Sequence, residues 1–362
     1  MSDDNTLIYR PLIKPFENRP LAPEGDELEA PDRRDGRIYE YDDLLKLVVE
    51  MALATGRPLL LRGEPGSGKS SLAAYIAANL GYRYYEAVIT SQSAAQDLLW
   101  KYDLVRRLAD AQARGAGSRP TLRNDTRPTP LSDYDYIEPG VLWWVFDPDS
   151  ARARGWTSES TLPQAPAAAE PNEAMNKARD KLGAVVLIDE IDKADPDLPN
   201  ALLVPLGSLR FPVTDIRDRP VHVKMAQGGA IQSSDGRRMS RLLVVITTNE
   251  ERELPPAFVR RCIVHKLEHP SSARLVRIAR LHFHRPPTHP FGPAEEKIAQ
   301  EIAKDLDELR TRHATSRRRL PGTAEYLDAV RAAIALDVQV GGGPTWEALQ
   351  RSILLKDEGL QP

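Results

Sequence analysis

The sequence predicts an α/β fold in which a parallel sheet lies between helices, followed by a small all-helical domain. Three observations support this fold class. Short segments that are apolar throughout alternate with helical patterns up to Pro270, as in a parallel sheet that is covered on both faces. A glycine-rich loop, GEPGSGKS, joins the first of these segments to a helix. Beyond Pro270 only helical patterns occur, which indicates a separate helical unit.

Length and composition limit the kinds of protein that need to be considered. The 362 residues are 41% hydrophobic and 28% charged, as in an ordinary globular protein, and they suggest two domains. The net charge of -3 provides no overall positive field, so nucleic acid is a less favoured partner, although a local basic stripe would permit it. The single cysteine, Cys262, excludes a disulfide or a cysteine zinc cluster within one chain.

The sequence shows no signal for secretion or for membrane insertion. The start, MSDDNTLIYR, lacks the basic and then apolar pattern of a secretion signal. No apolar run approaches the roughly 18 residues that are needed to span a membrane. We therefore expect a cytoplasmic protein without a membrane span.

The first elements lead into the glycine-rich loop. Residues 1–36 mix prolines with charged residues without periodicity, which predicts an N-terminal arm that is extended or disordered. Apolar residues from Tyr41 to Ala54 recur at helical spacing, and the run PLLLRG then predicts a buried strand. The helix after the loop ends at Gly81.

Three further apolar strands complete a predicted α/β domain over residues 37–269. Two stretches interrupt it, 114–133 and 147–171, and their small residues and prolines predict surface insertions or mobile loops. The predicted strands are 82–90, 184–189 and 242–247.

Residues 270–362 form the predicted helical domain, because strand signals are missing there and helical periodicity continues. Its helical patterns lie at 273–284, 293–313, 323–336 and 345–355.

The glycine-rich loop has the residues needed to bind nucleotide phosphates. Its glycines allow tight turns that aim consecutive N–H groups and the following helix N-terminus at phosphate oxygens. Lys69 would contact the β- and γ-phosphates, and the Ser70 hydroxyl would help to hold Mg²⁺. A structural turn is the alternative, but the order of strand, loop and helix favours phosphate binding. The predicted nucleotide-binding residues are Gly63, Glu64, Pro65, Gly66, Ser67, Gly68, Lys69, Ser70 and Ser71.

A second segment, AVVLIDEIDKAD, ends a buried strand with two adjacent acids. Successive side chains of a strand point to opposite sides, so adjacent acids can have different tasks. We assign Asp189 to the Mg²⁺ contact and Glu190 to polarising the attacking water. The alternative is that the two acids only mark the end of the strand, but a complete phosphate-binding loop in the same chain makes this less convincing. The expected cofactors are ATP and Mg²⁺.

A third segment, LLVVITTNEERELPPAFVRRC, ends another buried strand at Asn249. This side chain would orient the lytic water or contact the γ-phosphate, although spacing alone does not separate that role from a turn residue. Arg260 and Arg261 follow a short helical turn. Without further context, exposed arginines are more often solvated surface.

These three segments, in this order, resemble the AAA+ superfamily and, within it, bacterial MoxR-like ATPases. GEPGSGKS is similar to the Walker A motif, LIDEID to Walker B, ITTNE to sensor 1, and ELPPAFVRRC to the stretch that carries the arginine finger. Smaller matches in AAQDLLWKYD, YIEPGVLWWVF and RLPGTAEYLD extend the resemblance over about Tyr39 to Leu355. The resemblance implies a P-loop NTPase core of the AAA+ type with a helical lid.

The resemblance also implies an ATPase that works as a ring, usually a hexamer, in which one subunit supplies an arginine to its neighbour's γ-phosphate. Arg261 aligns best with this finger, and Arg260 is the alternative. The ring would remodel or activate a partner protein, such as one with a von Willebrand factor A domain. A hairpin insertion is expected within residues 209–228. The sensor 2 arginine stays unassigned, because RLPGTAEYLD offers only Arg319, just before its helix.

Two other function classes remain. A nucleic-acid-directed NTPase of restriction or defence type uses the same fold, and salt-sensitive binding to a basic channel would favour it. A nucleotide-dependent switch or scaffold would bind ATP with little turnover, but it has little need of Glu190, Asn249 and Arg261 together.

Two conspicuous groups of side chains are interpreted as structural. Histidines two positions apart on a helix point away from each other, which argues against a metal cluster. Tryptophans are usually packing residues rather than a surface that grips a substrate. The histidines are His282, His284 and His289, and the tryptophans are Trp100, Trp143 and Trp144.

Overall fold

The computed structural model describes most of the chain. The described residues are 11–13, 36–116, 132–225, 230–232, 236–283, 291–313, 321–341 and 343–355. The strands are β1 Leu59–Arg62, β2 Tyr82–Val88, β3 Trp100–Tyr102, β4 Ile137–Pro139, β5 Asp180–Asp189, β6 Arg210–Val213, β7 Val221–Lys224, β8 Ala230–Gln232, β9 Arg238–Ser240, β10 Leu242–Thr248 and β11 Ile263–Lys266.

The helices surround these strands and continue beyond them. A π-helical turn over Gln350–Leu355 follows the last helix. The α-helices are α1 Asp43–Thr55, α2 Lys69–Leu80, α3 Leu104–Ala116, α4 Val141–Phe146, α5 Pro148–Arg152, α6 Glu173–Asn176, α7 Asp197–Ser208, α8 Pro256–Val259, α9 Ser272–Phe283, α10 Pro293–His313, α11 Thr323–Ala335 and α12 Pro344–Leu349.

A five-stranded parallel sheet forms the centre of the α/β domain, in the order β11-β1-β10-β5-β2. The predicted parallel sheet between helices is therefore correct. Because the strands are parallel, they all end at one edge, which we call the carboxyl edge, and begin at the other, the amino edge. Strand β11 was not predicted, because it is a short edge strand in which half-buried and exposed residues alternate and no continuous apolar run marks it.

The sheet is buried on both faces, which explains why its inner strands are apolar throughout. Along β10, Val244 and Ile246 belong to one core cluster, whereas Leu243 and Val245 belong to the other. This alternation follows from the two-residue period of a strand.

Most residues of the stretch 147–171 are exposed or half-buried. Ala151, Ala165 and Ala168 are nevertheless buried in the larger core cluster, and Trp156 packs against the same cluster. Small side chains allow the chain to approach the apolar surface closely, so these positions anchor the stretch to the domain. Residues 117–131, most of the other predicted insertion, lie outside the described residues.

The structure contains a hairpin within the 209–228 stretch, where the resemblance implied one. Strands β6 and β7 pair antiparallel in it, from Arg210 opposite Lys224 to Val213 opposite Val221. Behind this hairpin, the three tryptophans singled out above are buried, in agreement with a packing role. The ring of Trp100 stacks on Phe211, 5.9 Å between centroids.

The C-terminal helices have a hydrophobic core of their own, which includes Leu275, Ile302, Tyr326 and Trp346. Helix α9 also contacts the segment before α1, where the Arg274 guanidinium forms ion pairs with Glu40 and Asp42. None of the described helices is long and apolar enough to span a membrane.

Of the predicted N-terminal arm, only residues 11–13 and 36 are described. Ile13 is buried against the smaller core cluster of the α/β domain. The backbone N–H of Leu12 donates to the Glu50 carboxylate, 2.6 Å away. This part of the arm therefore packs on α1.

Candidate active site at the carboxyl edge

The phosphate-binding loop leaves β1 and enters α2 through backbone conformations that favour glycine. Gly63, Gly66 and Gly68 have φ values of 144°, 78° and 88°. A Cβ atom on Gly63 would lie 2.7 Å from the carbonyl oxygen of Leu267, which is a clash. The glycines therefore fix the loop's path, and α2 presents its N-terminus to the loop as an anion site would require.

Lys69 is held inside this loop. Its ammonium donates to the carbonyl oxygens of Gly63 and Glu64, both at 2.8 Å, and the residue is 6% exposed. Burial lowers the pKa of the ammonium, and the nearby carboxylates of Asp189 and Asp192 oppose that shift. The Lys69 ammonium is therefore positioned where it could bind an anionic ligand in the loop.

Ser70 and Asp189 meet at the carboxyl edge, although they are far apart in sequence. The Ser70 hydroxyl donates to Asp189 Oδ1, 2.9 Å away. The Thr247 hydroxyl donates to the same oxygen at 2.5 Å. Two neighbouring strands and the start of α2 thus bring together the hydroxyl and the carboxylate that the sequence predicted as Mg²⁺ ligands.

The Glu190 carboxylate is held between two side chains. Its Oε2 accepts a hydrogen bond from the Lys193 ammonium at 2.6 Å, and its Oε1 accepts one from the Asn249 amide at 3.2 Å. The backbone of Glu190 has φ 61°, a left-handed conformation that is uncommon for a residue with a side chain. Its N–H donates to Thr247 Oγ1 at 2.9 Å, which fixes this conformation.

Three residues of the site were assigned no role from the sequence. Thr247 links Asp189 to the Glu190 backbone, and Lys193 pairs with Glu190. Asp192, 2% exposed, accepts the N–H groups of Asn249 at 3.4 Å and Glu251 at 2.9 Å. Of the three, Asp192 had a signal in the sequence, because it is the third acid in the short run DEID at the end of a buried strand.

Arg260 and Arg261 do not join this site within one chain. They follow α8 and precede β11, whose Ile263 pairs with Leu59 at the start of β1. The phosphate-binding loop leaves the opposite end of β1, about 10 Å away at the usual rise per strand residue. Both arginines are exposed at the amino edge.

The helical domain touches the phosphate-binding loop through the N-terminus of α11. The Thr323 N–H donates to the carbonyl oxygen of Gly66 at 3.0 Å. Glu325 lies beside the same glycine, with its Oε2 3.2 Å from the position of a Gly66 Cβ. A carboxylate thus faces the loop where the resemblance would place an arginine, and Arg319 lies outside the described residues.

The oxygen donors fit a Mg²⁺ ion that arrives with a nucleotide. Mg²⁺ prefers oxygen ligands and often uses one or two protein ligands together with phosphate and water, which matches Ser70 and Asp189. Among the described residues no group of three or more His, Cys, Asp or Glu side chains could hold a metal alone. His282 is described, whereas His284 and His289 lie outside the described residues.

Comparison with known proteins supports the assignment of the core. Residues 58–122 match the family described as AAA domain (dynein-related subfamily). No curated protein matches the chain.

Solved structures that are similar to this chain cover most of its length at low sequence identity. A Thermotoga maritima RuvB mutant has 14% identity and a TM-score of 0.39, covering 85% of this chain and 67% of its own. A Cytophaga hutchinsonii protein, described only provisionally as an ATPase, has 14% identity and a TM-score of 0.36, covering 86% and 80%. Neither score reaches 0.5.

The family match covers β1, the phosphate-binding loop, α2 and β2, which are the elements that build the phosphate site. The remaining site residues follow on β5 and β10, the next strands of the same parallel sheet. The chain therefore contains a segment, residues 58–122, that matches an AAA domain family, and this segment belongs to a parallel α/β domain with a phosphate-binding loop.

Proposed function

We propose that the protein is a Mg²⁺-dependent ATPase of the MoxR-like type that acts as a ring, with each active site shared between two copies. The observation that carries the proposal is the convergence at the carboxyl edge. There the Lys69 ammonium, the Ser70–Asp189 contact and the Glu190–Asn249 pair lie at the ends of adjacent elements.

The residues of one copy supply positioning and electrostatic stabilisation, which dominate phosphoryl transfer. The loop N–H groups and Lys69 would bind the phosphates. Ser70 and Asp189 would hold Mg²⁺, which neutralises charge on the β- and γ-phosphates when bound. Glu190 would polarise the attacking water, and Asn249 would orient it through the contact that it already makes with Glu190.

The second copy would supply an arginine to the γ-phosphate. Arg261 is the leading candidate and Arg260 the alternative. Both are exposed at the amino edge, so they are free to reach another molecule and too distant to serve their own loop. A head-to-tail contact of this kind generates a closed ring when the rotation closes, and a hexamer is the usual number in the family that the sequence resembles.

We further propose that the ring uses hydrolysis to remodel or activate a partner protein. Partners with a von Willebrand factor A domain are candidates from the family resemblance. Purifying the Glu190→Gln form with ATP should trap both the ring and its client, because the bound nucleotide would persist. Recovery of the same proteins with the Lys69→Ala form would argue against a nucleotide-dependent partner.

Phosphate release in the presence of Mg²⁺ tests the chemistry. We expect Lys69→Ala to lose both ATP binding and turnover. Glu190→Gln should keep ATP binding but lose about 100-fold or more in turnover, because its base is gone. Glu347→Gln, an exposed acid on α12, removes the same charge away from the site and should behave as wild type. Equal rates in all four proteins would refute the proposal.

A further inference from the structure

A cavity of about 620 Å³ opens at the amino edge, between the end of α1, helix α7 and the start of β11. Its wall is apolar, with Leu53, Leu206, Leu242 and Phe258 among the lining residues. Three arginines, Arg57, Arg238 and Arg261, line it as well, and no described lining residue is acidic. The cavity, which we call the arginine cavity, is therefore positively charged.

The arginines of this cavity are exposed, and within the described residues their side chains have no ion-pair or hydrogen-bond partner. Some other exposed arginines of the chain are paired instead. Arg152 pairs with Glu170 at 2.7 Å and Arg280 with Glu296 at 2.6 Å. Unpaired cations around one apolar cavity are suited to an acidic partner, because opposite charges attract and the apolar wall strengthens the attraction.

Acidic side chains of the matching kind lie at the carboxyl edge of the same sheet. Glu251 and Glu253 are exposed in the loop that follows β10, and Glu64 is exposed in the phosphate-binding loop. Within the described residues, none of these three carboxylates forms an ion pair or accepts a hydrogen bond. Two exposed cations lie at the same edge, Arg252 in the same loop and Lys266 at the end of β11. Unpaired carboxylates thus lie at the carboxyl edge and unpaired arginines at the amino edge.

We propose that the arginine cavity receives the acidic loop 250–253 of a second copy of this chain. This inference rests on the proposed function, which puts Arg261 at the phosphates of the neighbouring copy. Asn249 of that copy lies at the phosphate site and directly precedes its acidic loop, and Arg57 and Arg238 line the same cavity as Arg261. Arg57 and Arg238 then face Glu251 and Glu253.

Charge reversal tests this pairing. In the first variant Arg57 and Arg238 are both changed to Glu, and in the second Glu251 and Glu253 are both changed to Arg. Mass is measured by sedimentation and light scattering with Mg²⁺ and a slowly hydrolysed ATP analogue. We expect each variant alone to assemble at least about tenfold more weakly than wild type, because like charges then meet. An equimolar mixture should assemble again, since every contact between unlike copies is complementary.

Two controls keep the outcome interpretable. Arg331 and Arg351, both changed to Glu on the helical domain, give the same change in net charge as the first variant and should assemble normally. ATP binding and thermal unfolding of each variant check its fold. Assembly of both reversed variants at wild-type strength, or failure of their mixture, overturns the inference. A wild-type protein that stays monomeric refutes the shared site itself.

Discussion

The candidate site residues at the two edges of the central sheet differ in whether their side chains have partners within the chain. At the carboxyl edge Lys69, Asp189, Glu190 and Asn249 all have hydrogen-bond partners within the chain. At the amino edge Arg57, Arg238, Arg260 and Arg261 are exposed, and their side chains have no partner among the described residues. One edge holds a preorganised site, and the other presents cations that another molecule would pair.

This difference shows that motifs found in order along one chain do not all have to meet at one site of that chain. Parallel strands deliver the residues that follow them to the carboxyl edge, whereas residues that precede a strand stay at the amino edge. The motif containing Arg261 precedes β11. For this reason Arg261 lies at the amino edge, away from the phosphate-binding loop of its own chain.

The largest expected effect comes from removing the arginine at the amino edge. Arg261→Ala should lower turnover by about 10³-fold with little change in ATP binding, because an arginine finger acts on the transition state. Arg260→Ala is the matched control. Turnover and nucleotide affinity are measured for both, and a loss confined to Arg260→Ala would give the role to Arg260.

Mixing Arg261→Ala and Lys69→Ala copies tests whether the two edges of different copies form one site. Arg261→Ala copies retain an intact carboxyl edge, and Lys69→Ala copies retain an intact amino edge. We expect their mixture to regain part of the activity that each lacks alone. No recovery at any ratio would mean that the two edges do not meet in one working site.

A smaller effect is expected at Thr247, whose buried hydroxyl supports the carboxyl edge. Thr247→Val leaves Asp189 and the Glu190 N–H without this partner. Loss of such a supporting contact should raise the Mg²⁺ concentration needed for half-maximal ATP binding by about tenfold or more. Thr248→Val, on the same strand with its side chain toward the other face, is the control. A Mg²⁺ titration of nucleotide binding distinguishes them, and equal curves would contradict the assignment.

The smallest effect is expected at Lys193, which holds one oxygen of Glu190. Lys193→Met should lower turnover by about threefold, because the pair is partly exposed and such pairs are weak. Asn249 still holds the other oxygen. Lys193→Arg should restore the rate, and added salt should slow wild type more than Lys193→Met. A Lys193→Met rate that equals wild type at low salt would show that the ion pair does not position Glu190.

The sequence was sufficient for much of the fold because its signals are local. Continuous apolar runs predicted β1, β5 and β10, and helical periodicity predicted α10 with both of its ends. It failed at β11, whose four residues alternate in exposure at a sheet edge. At 147–171 small residues and prolines predicted an insertion, but they did not show which of its positions, such as Ala151 and Ala165, are buried.

The candidate site was predictable where the residue types and spacing within one short segment indicate a role. This holds for the loop from Gly63 to Ser71 and for the adjacent acids Asp189 and Glu190. It does not hold for Thr247 and Lys193, because a threonine at a strand end and a lysine after an acid are common. Their roles depend on contacts between neighbouring strands or across one turn, which spacing alone does not specify.

The sequence by itself determined that this chain has a parallel α/β core with a phosphate-binding loop, because strand and helix periodicity and the glycines are local properties of the chain. Only the tertiary structure decided which motifs meet. It brought Ser70, Asp189, Glu190 and Asn249 to one edge and put Arg260 and Arg261 at the other. The reason is that strand order and direction, which no single segment encodes, determine at which edge each motif lies.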